Sequence, residues 1–289
     1  ETKTMKQYVN LVLDEERALY GLKNAEVRRC TFDGPADGES ALKEARSLRV
    51  EDCDFRLRYP LWHVQDSTVT DCRLTDTCRA ALWYNKDLTL ARCRLGGIKA
   101  MREGRGITLE DCQINSDEFG WKCRGLTLNR CSLVSEYPFL DSRDVEINRL
   151  DMKAKYSFQY VKNLHIRHSV LDTKDAFWHS ENVTVEDSVV KGEYLGWYSK
   201  NLTFINCKII GTQPLCYAQN LTLKNCEMEG ADLAFEYTDV QADVTTDIVS
   251  VKNPKSGFIR AKHIGEIILD EHRLRGSNCE ITQLCPVAA

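Results

Sequence analysis

The amino-acid sequence predicts an all-β fold, a single-stranded right-handed parallel β-helix of about 10–12 coils on a 19-residue repeat. Three observations predict it. One phrase recurs at a near-constant interval, apolar and polar residues alternate within it, and a residue suited to a tight bend stands at its start.

The phrase is an Asn, Asp or Gly followed by aliphatic-x-aliphatic-x-x-Cys-x-aliphatic. It reads NAEVRRCTF from Asn24, DLTLARCRL from Asp87, GITLEDCQI from Gly106 and NLTFINCKI from Asn201. The Cys position is held by Cys30, Cys53, Cys72, Cys93, Cys112, Cys131, Leu150, Ser169, Ser188, Cys207 and Cys226, with gaps of 23, 19 and 21 and then seven of 19. The residues three before it and two after it are apolar, and the residue five before it nearly always is; Ile107, Leu109 and Ile114 around Cys112 are one instance. Period-two alternation marks strands with one buried face. The residue six before the Cys is Asn, Asp or Gly in ten coils, types that tolerate a left-handed backbone. Helical solenoids need repeats of roughly 33–47 residues, and a leucine-rich repeat needs a helical arm. The stretches between phrases, such as KGEYLGWYSK, read instead as strand and turn.

One domain is expected over residues 1–289, with regular coils over about 20–230, an N-terminal cap over about 1–19 and irregular coils with a tail over 231–289. The stretch Gly34 to Ser40 reads as a loop without the Lys-Ser/Thr start of a phosphate loop, and Thr75 to Ala80 carries a two-residue insertion. Eight of thirteen cysteines fall in one column, read as small buried fillers rather than disulfides or zinc ligands. The NVT and NLT triplets at Asn182, Asn201 and Asn220 coincide with the bend position, so the repeat accounts for them.

Composition excludes some partners. Net charge is −4, with 43% hydrophobic and 28% charged residues. No basic stripe is visible, which sets nucleic acid aside. No apolar run nears the roughly 18 residues that span a bilayer, so no membrane partner is expected. Glu1 to Asp14 lacks the layout of a signal peptide, and a cytoplasmic chain with reduced thiols is expected. No cofactor or metal is implied.

All five tryptophans, Trp62, Trp83, Trp121, Trp178 and Trp197, stand ten residues before the Cys position. Lys43, Arg102 and Gln159 share that column; Tyr137, Tyr156 and Tyr194 stand three residues earlier, and the following residue is often aromatic, as at His179. Two readings compete. The column packs inward or at a corner, as Trp usually does. Alternatively it forms an exposed strip whose ring faces receive sugars, because an inward column would rarely accept unpaired Arg or Lys.

Candidate catalytic groups lie on the same side: Asp117, Glu118, Glu136, Arg102 and Lys99. Asp117 and Glu136 fall one rung apart, about 5 Å, like a retaining carboxylate pair, where like charges would raise one pKa. The competing reading is a solvated charge ladder moderated by Lys155.

The phrases ADGESALKEAR, YPLWHV, ALWY, GGIKAMRE, FGWKC, SFQYV, TKDAFWHS, KGEYLGWYS, GTQPLC and KNPKSG, spread over nearly the whole chain, resemble a bacterial family of pectin-lyase-like β-helices, the domain of unknown function 3737 family. The resemblance implies a β-helix without an assigned activity. The wider fold group includes pectate lyases and polygalacturonases, so carbohydrate is the partner class it implies. No lyase motif matches residue by residue, and no catalytic position is carried over. The expected function is therefore carbohydrate binding or modification on the aromatic and charged face. The alternatives are a non-enzymatic interaction scaffold and a small-molecule or nucleotide-sugar enzyme using Lys99, Arg102, Glu103, Glu118 and Lys122.

Overall fold

The computed structural model describes residues 4–34, 39–272 and 276–285. The chain is an all-β, right-handed parallel solenoid of about 14 turns. It divides into two compact units, Glu1–Asp151 and Met152–Ala289.

In the first unit each turn opens with a strand: Lys23–Arg28, Arg46–Glu51, Gln65–Thr70, Lys86–Ala91 and Arg105–Glu110. They pair in parallel so that Val27, Val50, Val69, Leu90, Leu109 and Leu128 form one file. That file is buried, as are the Cys file and the file two residues beyond it, from Phe32 and Phe55 to Leu133. Phe32 and Phe55 stack at 4.7 Å with planes 5° apart. Parallel stacking puts like residues over like, so each layer of the core repeats the last.

The bend expected six residues before the Cys is present. Asn24, Ser47, Asp66, Asp87, Gly106 and Gly125 all have φ between 49° and 71°. A second left-handed bend, absent from the expectation, sits immediately before the Cys: Arg29, Asp52, Asp71, Arg92, Asp111 and Arg130, with φ of 50–53°. A left-handed residue with a side chain costs about 1 kcal/mol. Rung hydrogen bonds offset it, such as Asp71 N–H to the Ala91 carbonyl at 3.0 Å and Arg92 N–H to the Glu110 carbonyl at 2.9 Å. The side chains point outward and pair between rungs, Arg92 with Asp71 at 2.8 Å and Arg130 with Asp111 at 2.9 Å.

The ends depart from expectation. The segment read as a cap is itself a rung: Lys6–Val9 pairs in parallel with Lys23–Arg28, and Val12–Leu13 with Thr31–Phe32. Its Tyr8 stands in register with Val27, so the ladder continues through this segment. The two-residue insertion forms a short 3₁₀ turn, Asp76–Cys78. Of the loop expected at Gly34 to Ser40, residues 35–38 lie outside the described residues.

The second unit repeats the scheme with Lys162–Arg167, Glu181–Glu186, Lys200–Ile205 and Leu221–Glu229. Its bend residues form an amide ladder. The Asn182 side-chain amide donates to Asn163 at 3.2 Å, Asn201 to Asn182 at 2.9 Å and Asn220 to Asn201 at 2.8 Å. The three glycosylation-like triplets are thus bend residues whose amide nitrogens donate to the preceding rung. Strands Asp239–Val244, Ser256–Ala261 and Asn278–Gln283 continue the parallel pairing.

The Cys file does more than fill space. Cys93 Sγ donates to the carbonyl two residues back at 3.3 Å, and Cys207 does so at 3.3 Å. Ser169 and Ser188 make the same bond at 2.8 and 2.7 Å, which is why serine substitutes there. All thirteen thiols are free. Burial pushes the thiol pKa of Cys78, Cys123, Cys207 and Cys216 up to about 12. Because the thiolate is the nucleophile, these should resist modification. Titration of the native protein with a disulfide reagent at neutral pH is expected to give one fast-reacting thiol, the exposed Cys285, and slower reaction at the half-buried Cys279, with the eleven buried cysteines reacting only after denaturation. Rapid reaction of several thiols in the native state would contradict the packing.

Candidate binding groove

The tryptophan column is neither core nor free strip. All five rings are half-buried. Their edges are fixed inward: the indole N–H groups donate to main-chain carbonyls, Trp62 to Ala80 at 2.7 Å, Trp83 to Lys99 at 2.8 Å, Trp121 to Tyr137 at 2.6 Å, Trp178 to Tyr194 at 2.7 Å and Trp197 to Gln213 at 2.9 Å. Gln159 makes the equivalent bond to Asp175 at 2.9 Å, which explains an amide in a column of indoles.

The faces are largely taken. Trp62 and Trp83 stack at 4.8 Å and 3°, and Trp178 and Trp197 at 5.3 Å and 3°. The Arg102 guanidinium lies 4.7 Å from the Trp83 ring and 4.6 Å from Trp121, and the Lys43 ammonium 5.8 Å from Trp62. The cations that argued against an inward column are therefore cation–π partners within it. Sugar stacking on the faces of Trp62 and Trp83 is corrected by this geometry, since a neighbour already occupies both sides of each ring. Tyr137 and Tyr194 pack edgewise on Trp121 and Trp197 at 5.7 and 5.3 Å. Tyr156 is half-buried.

The exposed aromatic column is the next one along. In the second unit Tyr160, His179, Tyr198 and Tyr217 stack in sequence at 4.8, 5.1 and 5.2 Å. Tyr160 is 49% exposed and Tyr198 45%. In the first unit His63 stacks on Tyr84 at 4.9 Å. These rings present edges and hydroxyls outward, with faces turned to each other.

Three of the catalytic candidates meet. Glu118 lies 3.4 Å from Arg102 and 3.9 Å from Lys99. The carboxylate anchors the guanidinium that the indoles sandwich, which is a structural duty. Asp117 and Glu136 are both exposed, and the Asp117 carbonyl accepts the Tyr137 N–H at 2.6 Å. Glu103 and Lys122, grouped with that trio in the enzyme reading, line a separate groove. Among the described residues no group of His, Cys, Asp and Glu side chains is placed to hold a metal ion, and no helix is long and apolar enough to cross a membrane.

That groove lies wholly within the first unit. It encloses about 410 Å³ and is lined by Gln65, Tyr84, Asn85, Lys86, Glu103, Arg105, Lys122, Arg124, Asp141 and Arg143. It forms at a corner where one residue per turn is buried and its two neighbours point out. The buried residues are Val64, Asn85, Gly104, Cys123 and Ser142. The outward neighbours form its two walls. None of the five tryptophans lines it.

Residues 6–282 match the family described as "Protein of unknown function (DUF3737)". The chain belongs to that family. No curated protein matches the chain. Among solved structures, it is similar to the surface adhesin PfbA of Streptococcus pneumoniae, at 8% identity over 80% of this chain and 83% of that one, TM-score 0.47. It is similar to the A-module of the Azotobacter vinelandii mannuronan C-5 epimerase AlgE6, at 10% identity over 98% and 89%, TM-score 0.37. It is also similar to the pentapeptide repeat protein HetL of the cyanobacterium Nostoc, at 13% identity over 76% and 91%, TM-score 0.32. The likeness is one of fold.

The groove of this DUF3737 chain corrects the reading that no basic stripe exists. Lys23, Arg46, Gln65, Lys86, Arg105 and Arg124 stand in register on successive rungs. The signal was present seven residues before the Cys position, where Lys23, Arg46, Lys86, Arg105, Arg124 and Arg143 stand. It is hidden in the linear sequence because the cations are a whole coil apart and separated by acidic residues.

Proposed function

We propose that this DUF3737 chain is a carbohydrate-binding solenoid whose ligand lies along the groove from Gln65 to Arg143. One observation carries the reading. The groove is lined throughout by hydrogen-bonding side chains that recur on every rung, with donors and acceptors interleaved: Gln65, Tyr84, Asn85, Glu103 and Asp141 among the cations. A chain of hydroxylated sugars needs both kinds of partner at a regular interval, and a solenoid supplies them about every 4.8 Å. Tyr84 adds a phenol edge and hydroxyl to one wall. The tryptophan column, which does not line the groove, then has a packing role rather than that of a stacking platform.

Calorimetric titration with a panel of neutral and acidic oligosaccharides tests the reading. At least one class is expected to bind, and Glu103→Ala should weaken it by about tenfold, the worth of a hydrogen bond to a charged group. Failure of every glycan, or binding that ignores Glu103 and Tyr84 substitutions alike, would sink it.

A further inference from the structure

We infer that the groove takes an anionic glycan, with carboxylates on successive sugars held by Lys86, Arg105, Arg124 and Arg143. This rests on the carbohydrate reading above and names the ligand class for the same groove. Five cationic and two anionic side chains line it, a net charge of +3 in a chain whose total is −4. Lys86, Arg105 and Arg124 sit in direct register, and like charges on adjacent rungs repel.

Several other arginines of the first unit are neutralised from a neighbouring rung. Arg56 pairs with Asp33, Arg73 with Asp52 and Asp54, Arg92 with Asp71, and Arg130 with Asp111, each across one rung. Among the described residues, none of Lys86, Arg105, Lys122, Arg124 and Arg143 has a carboxylate within ion-pair distance, although Glu103 and Asp141 share the groove. Five cations without counter-ions gathered in one concave corner call for an anion from outside the chain.

Asn85 is a second, independent sign. It is 2% exposed and lines the groove. Its Oδ1 accepts the Val64 N–H at 2.9 Å, which fixes the amide's orientation. Three rungs further on, the same corner task is done by a hydroxyl: Ser142 Oγ accepts the Cys123 N–H at 3.1 Å. A serine would therefore suffice for the backbone at position 85. The asparagine carries an additional donor, Nδ2, which is buried without a partner. A donor left over among cations suits an acceptor-rich ligand.

The class of polyanion follows from the other lining groups. Glu103 and Asp141 can accept from sugar hydroxyls but would oppose a closely spaced phosphodiester. Single-stranded nucleic acid is gripped by open aromatic faces, and the only aromatic in the groove, Tyr84, has His63 stacked on one face and the edge of Trp83 at 5.8 Å. The four cations span three rungs, about 14 Å, and a pyranose unit in an extended chain is about as long as one rung.

The test compares tetrameric β-1,4-glucuronate with cellotetraose, the neutral sugar of the same backbone, by calorimetry on the full chain. A short oligothymidylate and oligoglutamate serve as non-sugar polyanions. The glucuronate is expected to bind at least about tenfold tighter than cellotetraose, and weaker as NaCl rises from about 50 to about 200 mM. The double variant Arg105→Gln/Arg124→Gln should lose about a hundredfold, while Arg130→Gln, outside the groove, keeps full affinity. Asn85→Ser should fold normally and bind more weakly. Equal binding of glucuronate and cellotetraose would overturn the anionic ligand and leave the carbohydrate reading intact. Oligothymidylate or oligoglutamate binding as tightly as glucuronate would overturn both, as would no binding of either sugar.

Discussion

Gly211→Ala is expected to destabilise the second unit by about 3–4 kcal/mol. Gly211 has φ of 143°, a region that only glycine occupies readily. A β-carbon there would overlap the Gly192 carbonyl oxygen and lie 2.7 Å from its carbon. The obstacle is main chain one rung away, so no side chain can rotate aside. Relief requires the rungs to part, at the expense of the Gly192 N–H bond to Ile210 at 2.8 Å and the Gly211 N–H bond to Glu229 at 3.0 Å. Gly230→Ala is the control. Its φ is also positive, at 64°, but nothing lies within 4 Å of the place a β-carbon would take, so only the conformational cost of about 1 kcal/mol applies. Urea denaturation of the two variants separates close approach from backbone strain. Equal midpoints would mean that the rungs yield at Gly211 without penalty.

Arg102→Glu is expected to lower stability by about 3 kcal/mol, more than Arg102→Met. The guanidinium contacts two indole faces, at 4.7 and 4.6 Å, each worth about 0.5–2 kcal/mol. Methionine keeps part of the packing and loses the charge. Glutamate sets a carboxylate against two electron-rich faces and beside Glu118, which Arg102 now neutralises at 3.4 Å. Thermal unfolding measures the loss, and the near-ultraviolet circular dichroism of the tryptophans should change with it. If glutamate and methionine behaved alike, the charge between the rings would contribute nothing and the column would be ordinary packing.

Much of the fold was legible because a solenoid writes its geometry as spacing. The Asn24-to-Asn220 bend, the Val27 and Phe32 files and the Cys file follow from local backbone preference and burial, both of which act at fixed positions in the phrase. The bend before each Cys was not legible, because the aspartates there alternate with arginines such as Arg29, Arg92 and Arg130, which are poor advertisements for a left-handed backbone. Their conformation is imposed by rung hydrogen bonds rather than chosen by residue type. The C-terminal rungs were obscured for another reason. Asp239 pairs with Ser256 and Ser256 with Asn278, partners 17 and 22 residues apart, so a fixed-period search loses them.

The site was less legible. The tryptophan column was visible as a file, but which way its faces turned depended on stacking between neighbours, which spacing does not encode. Arg102 and Gln159 looked like exceptions to an aromatic column, yet one is sandwiched by rings and the other reproduces the indole hydrogen bond. The groove was missed because overall charge averages a local excess away. Lys86, Arg105, Arg124 and Arg143 are conspicuous only once the coil places them side by side.

The rung-on-rung pairing also bears on how such a chain reaches its native state. In each regular unit nearly every partner is one coil away, 19 residues in most turns, so the loop to be closed is the same at each step and small against 289 residues. An assembled turn presents a complete row of donors and acceptors to the next segment of chain. Folding can then spread by templated growth from any nucleus, as a crystal adds layers, and a change of length by whole coils leaves every remaining interface as it was.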